Sequence, residues 1–397
     1  YLCSHKLILV LLGVSLFTFV FGLWIDKIDE RKKRSRIAKL GIFVVLLNLI
    51  VIKYTDFLLE NIAMISKHEL TLMHFVLPLG ISYYTLQAIS YLKDVEKKKC
   101  KVSRNPFHFL LYMSYFPQII QGPIPKYKKL YDQLFEEHPF DYKRITYGLQ
   151  LMLWGIAKKI ILADHLAIPV KHIFDHYSDY HGLFVYFGVL CYGFQIYGDF
   201  SGGIDAIRGI SEIFGIRLDD NFRQPYYSSS IEEFWRRWHI SLGAWMREYV
   251  FFPLSLSKRL NATGKKLKKV FGGSFGKKFA PFMAMFVVYL LVGIWHGAEW
   301  KYVAYGLWNG FFIMNGILFE DQYKALRSRL GIKQDAKGFK AFQIFRTFII
   351  VSFGRILSRG NSLKDALMMF KTIFTKPFDL SVFTLKNLLS LLLFYLP

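Results

Sequence analysis

The chain has 397 residues, of which 53% are hydrophobic and 18% aromatic, and its mean hydropathy is positive despite 52 lysines and arginines. This composition excludes a soluble protein and predicts a single membrane domain over residues 1–397, because apolar runs can face lipid while the charges collect in connecting loops. The net charge of +23 does not indicate a nucleic-acid partner, since such a protein needs its basic residues on one solvated face and here they fall in separate loops.

Both ends of the sequence suggest truncation, because it starts at Tyr1 rather than at methionine and its last apolar segment stops abruptly at Pro397. The three cysteines, Cys3, Cys100 and Cys191, are too few and too far apart to indicate a disulfide framework or a cysteine zinc site. Cys100 follows three lysines at a predicted membrane edge, where acylation of a thiol is conceivable. We expect an inert thiol there.

About ten segments are apolar enough to cross or enter the membrane, judged against the roughly 20 residues that a spanning helix needs. We therefore predict an all-α protein with ten or more transmembrane or re-entrant helices. The segments run over residues 7–25, 38–52, 71–92, 106–123, 146–163, 183–198, 279–298, 302–319, 342–358 and 380–397. Prolines break the fourth segment, and irregular backbone is tolerated at membrane depth only beside protein or a water-filled cavity. This pattern hints at an internal cavity.

The first three segments alternate clearly with their connecting loops. Basic residues crowd the loops over residues 31–36 and 93–104, whereas the loop over residues 53–70 lacks net positive charge. Because basic loops tend to stay on the cytoplasmic side of the membrane, we predict that the two basic loops are cytoplasmic and that the loop between them is external.

The segment 231–249 predicts one amphipathic helix, whose start can be capped by Ser228, Ser229 or Ser230. Apolar residues three and four positions apart share one face of this helix, and arginines and glutamates occupy the other. Those apolar residues are Trp235, Trp238, Leu242, Trp245 and Tyr249. Such a helix is typical of a membrane interface or of the wall of a polar funnel. His239 would lie about a quarter turn from the apolar stripe, at the border with the charged face.

His296 lies in a different setting, because residues 279–298 contain no lysine, arginine, aspartate or glutamate. An ionisable group in or beside lipid is costly, which makes both His296 and His239 candidates for a functional site. A neutral histidine can take a proton from a hydroxyl that attacks a thioester carbonyl, and the chain contains no G-x-S-x-G nucleophile motif. The histidines therefore suit acyl transfer with histidine as general base. At each position the alternative is a histidine that only hydrogen-bonds a neighbouring group.

Several motifs resemble the membrane-bound O-acyltransferase family. They are FWRRWHISL at 234–242, NFRQPYYSSSIEEF just upstream, and VGIWHGAEW at 292–300. Supporting stretches lie at 77–94, 115–124, 148–164 and 195–203, so the resemblance covers most of the chain. It is strongest to the bacterial branch that contains the alginate and peptidoglycan O-acetylation acyltransferases and the D-alanyl transfer protein of teichoic acid synthesis.

This resemblance implies a ring of helices around a central funnel or tunnel, with His296 as the catalytic histidine and His239 as the second polar position. It implies a cytoplasmic acyl thioester as donor, either acyl-CoA such as acetyl-CoA or an acyl carrier protein thioester, and no metal. The acceptor would be a cell-envelope polymer or a partner protein, with an extracytoplasmic acyltransferase as the partner, and the location would be the plasma membrane of a bacterium. The form WRRWHISL favours acetyl over D-alanyl transfer.

Two alternatives remain open at this point. The transferred group could be D-alanine, as in teichoic acid modification, or the histidines could be proton-relay groups of a transporter or channel. A transporter would be expected to carry several acids within its spans, and Asp199 and Asp205 are the main candidates. The chain also departs from the family pattern at Gly203 and over residues 352–367, where glycine and arginine replace the usual aromatic residues. These departures bear on the acceptor and do not touch the histidines.

Three weaker features complete the candidates. His172 and His176 are four residues apart and could share a metal if helical, but their polar connector favours solvated histidines. Asp199 could line the cavity or cap a helix that starts at Phe200. The basic loop over residues 255–278 could attract the phosphates of coenzyme A, an acidic carrier protein or anionic lipid.

Overall fold

The computed structural model describes residues 5–376, and helices account for nearly all of the regular structure in that range. No β-strand forms there, apart from one isolated bridge between Phe222 and Trp238. The predicted all-α class is therefore confirmed for the described part of the chain. Cys3 and the predicted segment 380–397 lie outside the described residues.

Seventeen α-helices form over residues 5–376. The first nine are α1 (Ile8–Asp26), α2 (Arg31–Ser66), α3 (Ile81–Glu96), α4 (Pro106–Ser114), α5 (Tyr127–Phe135), α6 (Tyr142–Ala157), α7 (His165–Asp175), α8 (Gly182–Ile213) and α9 (Ile231–Arg237). The others are α10 (Ile240–Met246), α11 (Phe252–Ser255), α12 (Lys258–Phe271), α13 (Gly273–His296), α14 (Trp300–Leu318), α15 (Glu320–Arg329), α16 (Lys337–Arg359) and α17 (Leu363–Thr375). Turns of π-helix over Lys158–Asp164 and Arg247–Phe251 continue α6 and α10.

These helices form two compact units. The first unit comprises the residues up to 154 together with 203–219, and the second comprises 155–202 together with the residues from 220 onward. Among the described helices five are long and apolar enough to cross a membrane, namely α1, α2, α8, α13 and α16. A helical membrane protein is therefore supported, whereas a ring of ten or more helices and a single domain over the whole chain stay predictions.

In the first unit, α1, α2 and α3 pack on one another around the buried side chain of Tyr91. The helices approach closely at glycines. A Cβ atom on Gly22 would lie 2.7 Å from the Tyr91 ring, and one on Gly41 would lie 2.7 Å from the ring of Phe21. A larger residue at either glycine would therefore push these helices apart.

Two of the predicted spans are shorter in the structure than in the sequence pattern. The segment 71–92 contributes to α3, which begins only at Ile81. Residues 71–80 form no helix. The segment 106–123 is helical only as far as Ser114. Pro117 cannot donate a helical hydrogen bond, and the break agrees with the predicted irregular backbone.

The expected helix start at Phe200 is wrong, because α8 runs without interruption through Asp199. Instead of capping a helix, the Asp199 carboxylate pairs with Lys159, whose Nζ lies 3.0 Å from Oδ1. The Asp199 side chain is thus paired with a residue outside α8. The backbone hydrogen bonds of α8 continue past Asp199.

The basic segment 255–278 is also not a loop, because most of it forms α12 and the first turn of α13. Lysine, leucine and alanine favour helix formation, so the charge does not prevent it. A Cβ atom on Gly264 would lie 2.6 Å from the carbonyl oxygen of Gly276. The two glycines therefore allow α12 to pack directly on α13.

In the second unit, α13 and α14 cross at a pair of glycines. A Cβ atom on Gly306 would lie 2.3 Å from the carbonyl oxygen of Tyr289 and 2.9 Å from the Cα atom of Gly293. Small residues at a crossing allow membrane helices to approach each other closely. On its other side α14 packs on α16, where Trp308 Nε1 donates to the carbonyl oxygen of Ile350 at 3.0 Å. These contacts hold the carboxyl end of α13, which carries His296.

Candidate active site

The helix predicted over residues 231–249 is interrupted where the site forms. α9 ends at Arg237, Trp238 is extended, and His239 has left-handed backbone angles, with φ 48° and ψ 53°. The backbone around the break pairs with an upstream segment, since Arg223 N donates to Arg237 O at 2.9 Å and Ile240 N donates to Asn221 O at 3.0 Å. The continuous helix is wrong because residues 221–223 compete for its backbone hydrogen bonds.

His239 is buried in the second unit, with only 2% of its surface exposed. Its ring meets Phe200 edge to face at a centroid distance of 4.9 Å, and it lies 5.9 Å from the ring of Trp295. Burial, with a smaller contribution from nearby His296, lowers the pKa of His239 well below its ordinary value of 6.5. The imidazole is therefore neutral, and the expected place at the border of a charged face is wrong.

Asn221 is the polar partner of His239, and 1% of its surface is exposed. Its Oδ1 accepts a hydrogen bond from Ser241 N at 2.8 Å. The amide also faces His239 Nδ1, with Nδ2 at 3.2 Å and Oδ1 at 3.4 Å. The shorter contact and the occupied oxygen favour Nδ2 as the donor to Nδ1, which leaves the proton of the neutral ring on Nε2. That Nε2 atom is buried and has no hydrogen-bond partner among the described residues.

His296 is the last residue of α13, and its side chain is exposed. Its ring lies 5.2 Å from that of Trp295 and 5.8 Å from that of Tyr305. The chain turns sharply after it, because a Cβ atom on Gly297 would lie 2.2 Å from the Tyr302 ring. Trp295 thus has a predicted site histidine on either side, one buried and one accessible.

Polar contacts between α9 and α14 fix the position of the Tyr305 ring, which lies beside His296. Trp235 Nε1 donates to Asn309 Oδ1 at 3.2 Å, and Asn309 Nδ2 donates to Tyr305 O at 2.8 Å. The Trp235 ring also contacts the Tyr305 ring at a centroid distance of 6.4 Å. Tyr305 therefore has a fixed position next to the accessible histidine.

A cavity of about 320 Å³ lies between α9, α10 and α13. Its apolar wall includes Leu242 and Val288, and its charged lining comprises Arg236, Arg247 and Glu232, which pairs with Arg236 at 3.2 Å. An apolar cavity with cationic groups suits a ligand that has an uncharged arm and an anionic end.

The weaker candidates do not form a site in the structure. The rings of His172 and His176 are 4.8 Å apart, and His176 Nδ1 lies 3.1 Å from the carbonyl oxygen of His172. Within residues 5–376 no group of three or more histidine, cysteine, aspartate or glutamate side chains could hold a metal ion. Burial raises the pKa of the Cys100 thiol to about 12, so the thiol stays protonated at neutral pH.

Two buried polar residues near the histidines were missed as site residues in the sequence. Asn221 stands in the NFRQPYYSSSIEEF motif, but nothing in its spacing indicates a contact with His239. Arg355 stands in the atypical stretch 352–367, and its guanidinium lies over the ring of Trp238. The unusual residue type in an apolar segment was the only available signal for Arg355.

The fold and the site together define a helical membrane protein with a buried and an accessible histidine in one unit. The chain belongs to the membrane-bound O-acyltransferase family, whose sequence model matches residues 102–275.

Three relatives illustrate the range of the family. The chain is 32% identical over 373 residues to a probable alginate O-acetylase AlgI of Pseudomonas aeruginosa, covering 93% of this chain and 66% of the relative. It is 32% identical over 331 residues to a peptidoglycan O-acetyltransferase of Helicobacter pylori, covering 77% and 60%. It is 30% identical over 292 residues to a teichoic acid D-alanyltransferase of Bacillus subtilis, covering 71% and 68%. The chain thus spans about two thirds of the length of the relatives it matches.

Proposed function

We propose that the protein is a membrane O-acyltransferase that moves an acyl group, acetyl in the first instance, from a cytoplasmic thioester to a hydroxyl of a cell-envelope polysaccharide or of a partner protein. The observation that carries the proposal is the neutral, buried His239 beside the accessible His296. Family membership and the two O-acetylating relatives support an O-acyltransferase.

In this proposal His296 is the general base. Its imidazole takes the proton of the acceptor hydroxyl while the hydroxyl oxygen attacks the thioester carbonyl carbon. The tetrahedral intermediate then collapses, the C–S bond breaks, and the departing thiolate takes the proton back from the imidazolium. That imidazolium forms at the carboxyl end of α13, where the helix dipole favours positive charge.

His239 assists as a hydrogen-bond donor. Because Asn221 favours the proton on Nε2, this atom can donate to the oxygen that becomes negative in the tetrahedral intermediate. A buried, neutral donor suits this role, since it does not have to reorganise as charge develops. Asn221 is then a positioning residue that acts through His239.

The donor would enter with its uncharged arm in the apolar cavity beside α9 and α10. Arg247 would hold the phosphate end of acetyl-CoA or of a carrier-protein arm, because Arg236 already pairs with Glu232. We further propose a bacterial plasma membrane as the location and an extracytoplasmic acyltransferase as the partner, as the sequence resemblance implies.

The decisive test is the conversion of His296 to alanine. The His296→Ala variant should insert and fold but lose acyl transfer by roughly 100-fold or more, the usual size for loss of a general base. The assay follows label from radiolabelled acetyl-CoA, and in parallel from a D-alanyl carrier protein, with purified protein. His176→Ala is the matched control, because His176 is exposed and hydrogen-bonds only locally.

Each outcome of this assay separates the candidates. Consumption of the D-alanyl thioester alone would favour D-alanyl transfer. The 30% identity to the teichoic acid D-alanyltransferase supports this alternative. Substrate flux without consumption of either thioester would favour a transporter. Full acyl transfer by a folded His296→Ala protein would refute the proposed mechanism.

A further inference from the structure

α12 and α15 are amphipathic helices that lie beside the ends of membrane-spanning helices in the second unit. α12 leads directly into α13, and α15 is followed by α16, and both α13 and α16 are long and apolar enough to span a membrane. Asp321 of α15 is bonded to the start of α13, because its Oδ2 accepts from Lys278 Nζ at 2.9 Å and from Ser274 Oγ at 2.7 Å. Both helices therefore lie where the chain enters the membrane, at the same end of α13.

The outward side of α12 is a basic face. A Cβ atom on Gly264 would lie 2.6 Å from the carbonyl oxygen of Gly276, so the opposite side of the helix is occupied by α13. Residues 255–278 contain no aspartate or glutamate. The exposed basic residues of α12, here called the basic face, are Lys258, Arg259, Lys265, Lys266, Lys268 and Lys269.

The positive charge of the basic face is not neutralised within the part of the chain that the structure describes. The acids nearest in the fold are already engaged, since Asp321 pairs with Lys278 and Glu320 with Lys324. Among residues 5–376 no carboxylate forms an ion pair with a member of the basic face. The counter-charge is therefore supplied from outside these residues.

α15 adds an exposed apolar stripe at the same end of the unit. Phe319, Tyr323, Leu326 and Leu330 are three or four residues apart, so they share one side of the helix. Their exposed fractions are 44%, 47%, 53% and 63%, and no residue of α15 is buried. More cations accompany this apolar stripe, namely Lys324, Arg327, Arg329, Lys333, Lys337 and Lys340.

An apolar stripe beside cations is typical of a helix that lies in the plane of the membrane interface. Its apolar side chains enter the upper part of the acyl chains, while lysines and arginines extend to the headgroups. A soluble anion could neutralise the basic face but would leave the apolar stripe in water. A soluble acidic protein would cover the stripe only by displacing the lipid around α13 and α16. A phospholipid meets both requirements, because its headgroup and its acyl chains are joined.

We propose that α12 and α15 form a binding surface for anionic phospholipid. The basic face binds the charged headgroups, and the apolar stripe contacts the adjoining part of the acyl chains. Clusters of lysine and arginine on an interfacial helix attract anionic lipid in this way, and a zwitterionic headgroup lacks the net charge on which the attraction depends. This inference is independent of the proposed acyl transfer.

The test measures the increase in Tm of the purified full chain in an uncharged detergent, so that it does not depend on turnover. Dioctanoyl phosphatidylglycerol is the probe, and dioctanoyl phosphatidylcholine is the matched lipid with the same acyl chains and no net charge. Inorganic phosphate and coenzyme A are the soluble anions, added at constant ionic strength. Phosphatidylglycerol should raise the Tm with increasing concentration, and the other three compounds should have a much smaller effect.

A fourfold variant tests the basic face. It carries the changes Lys265→Gln, Lys266→Gln, Lys268→Gln and Lys269→Gln. Glutamine favours helix nearly as well as lysine, so α12 should still form. The apparent affinity for phosphatidylglycerol should fall by at least about tenfold, because each lysine near an anionic headgroup contributes to the attraction.

The matched control removes the same charge from exposed lysines of the first unit. It carries the changes Lys27→Gln, Lys32→Gln, Lys33→Gln and Lys39→Gln. Acids at residues 26, 29 and 30 already offset part of the charge of this segment. The control variant should therefore bind phosphatidylglycerol like the wild type.

A double variant tests the apolar stripe. Leu326→Gln with Leu330→Gln leaves every charge in place and removes the two most exposed members of the stripe. The apparent affinity for phosphatidylglycerol should fall, because the acyl chains lose their contact. A site for a soluble anion would not respond to this change.

The proposal is overturned if phosphatidylcholine raises the Tm as much as phosphatidylglycerol, a comparison that needs no variant. Equal stabilisation by coenzyme A or phosphate would assign the basic face to soluble phosphates. Equal losses in the two fourfold lysine variants would reduce the effect to net charge, and unchanged binding in the α12 variant would remove the basic face from the site. Stabilisation by a purified acidic carrier protein, without stabilisation by phosphatidylglycerol, would assign the surface to a protein partner instead.

Discussion

Asn221 holds His239 in one orientation and influences which ring nitrogen carries the proton. The side-chain amide is itself anchored, because its Oδ1 accepts from the backbone N–H of Ser241 at 2.8 Å. Nδ2 then faces His239 Nδ1 at 3.2 Å. The position of the proton on the His239 ring therefore depends on the side-chain amide of Asn221. This amide is neutral but has nearly the same shape as a carboxylate.

Asn221→Asp separates these effects, because it retains an oxygen for Ser241 and replaces the donor to His239 with a negative acceptor. In the wild type, burial holds the pKa of His239 below its ordinary value of 6.5, so the ring stays neutral as the pH falls through that value. A neighbouring carboxylate favours the imidazolium and raises this pKa. We expect acyl transfer at neutral pH to fall by roughly 100-fold, as when one oxyanion donor is lost. Below the raised pKa the imidazolium again carries a proton on Nε2, so the loss relative to the wild type should shrink as the pH falls.

Asn221→Ala is the comparison for that profile. It removes both contacts of the amide without adding charge, so the rate should fall by the same factor at every pH. The pH dependence of thioester consumption distinguishes the two variants. A loss in Asn221→Asp that is the same at every pH would show that residue 221 does not control the protonation of His239.

The helices around the site begin and end where local signals and tertiary contacts agree. Ser230 caps α9 by accepting from Glu233 N at 3.1 Å, and Glu233 in turn pairs with Arg237 at the last position of the helix. The end of α9 is then closed by the backbone of residues 221–223. At the contact between α13 and α14 the local signal is a glycine in each helix, and the two glycines lie where the helices cross.

Gly306→Ala tests this crossing. The added Cβ atom would lie 2.3 Å from the carbonyl oxygen of Tyr289, and backbone cannot move aside as a flexible side chain would. We expect a loss of about 1–3 kcal/mol in the free energy of unfolding, the usual cost of overpacking. Gly316→Ala in the same helix is the control, because nothing lies within 4 Å of its added Cβ atom. It should be neutral or stabilising by up to about 1 kcal/mol, because alanine favours helix. Equal Tm values for the two variants would contradict the proposed crossing.

The molecule as a whole combines apolar helices with strongly basic connections. α2 has 36 residues, which at about 1.5 Å per residue exceeds the thickness of the apolar core of a bilayer. Its charged first turns can therefore extend beyond the lipid while its apolar part spans it. The distribution of charge on either side of α2 and α3 then sets their orientation.

Cysteine labelling tests that orientation. In a variant whose native cysteines are replaced by serine, His68→Cys and Lys97→Cys each place one thiol at an exposed position on opposite sides of α3. A membrane-impermeant maleimide should label residue 68 in intact cells and residue 97 only after the cells are opened, because basic loops stay in the cytoplasm. Labelling of both positions in intact cells, or of residue 97 alone, would contradict the predicted topology.

Sequence patterns were sufficient for the all-α class, for five long apolar helices among the described residues and for the family motifs that contain the two histidines. Each of these depends on residues that are close together in the chain. They were not sufficient for the break at Trp238 and His239, for the contact with Asn221, or for the position of Arg355 over an aromatic ring. The same is true of the burial of His239, which was predicted at the border of a charged face. Each of these features depends on a distant segment that competes for backbone hydrogen bonds or covers a side chain. Contacts with a distant segment produce no periodic pattern in the sequence. Only the three-dimensional packing of the chain therefore determines which backbone hydrogen bonds form and which side chains are buried.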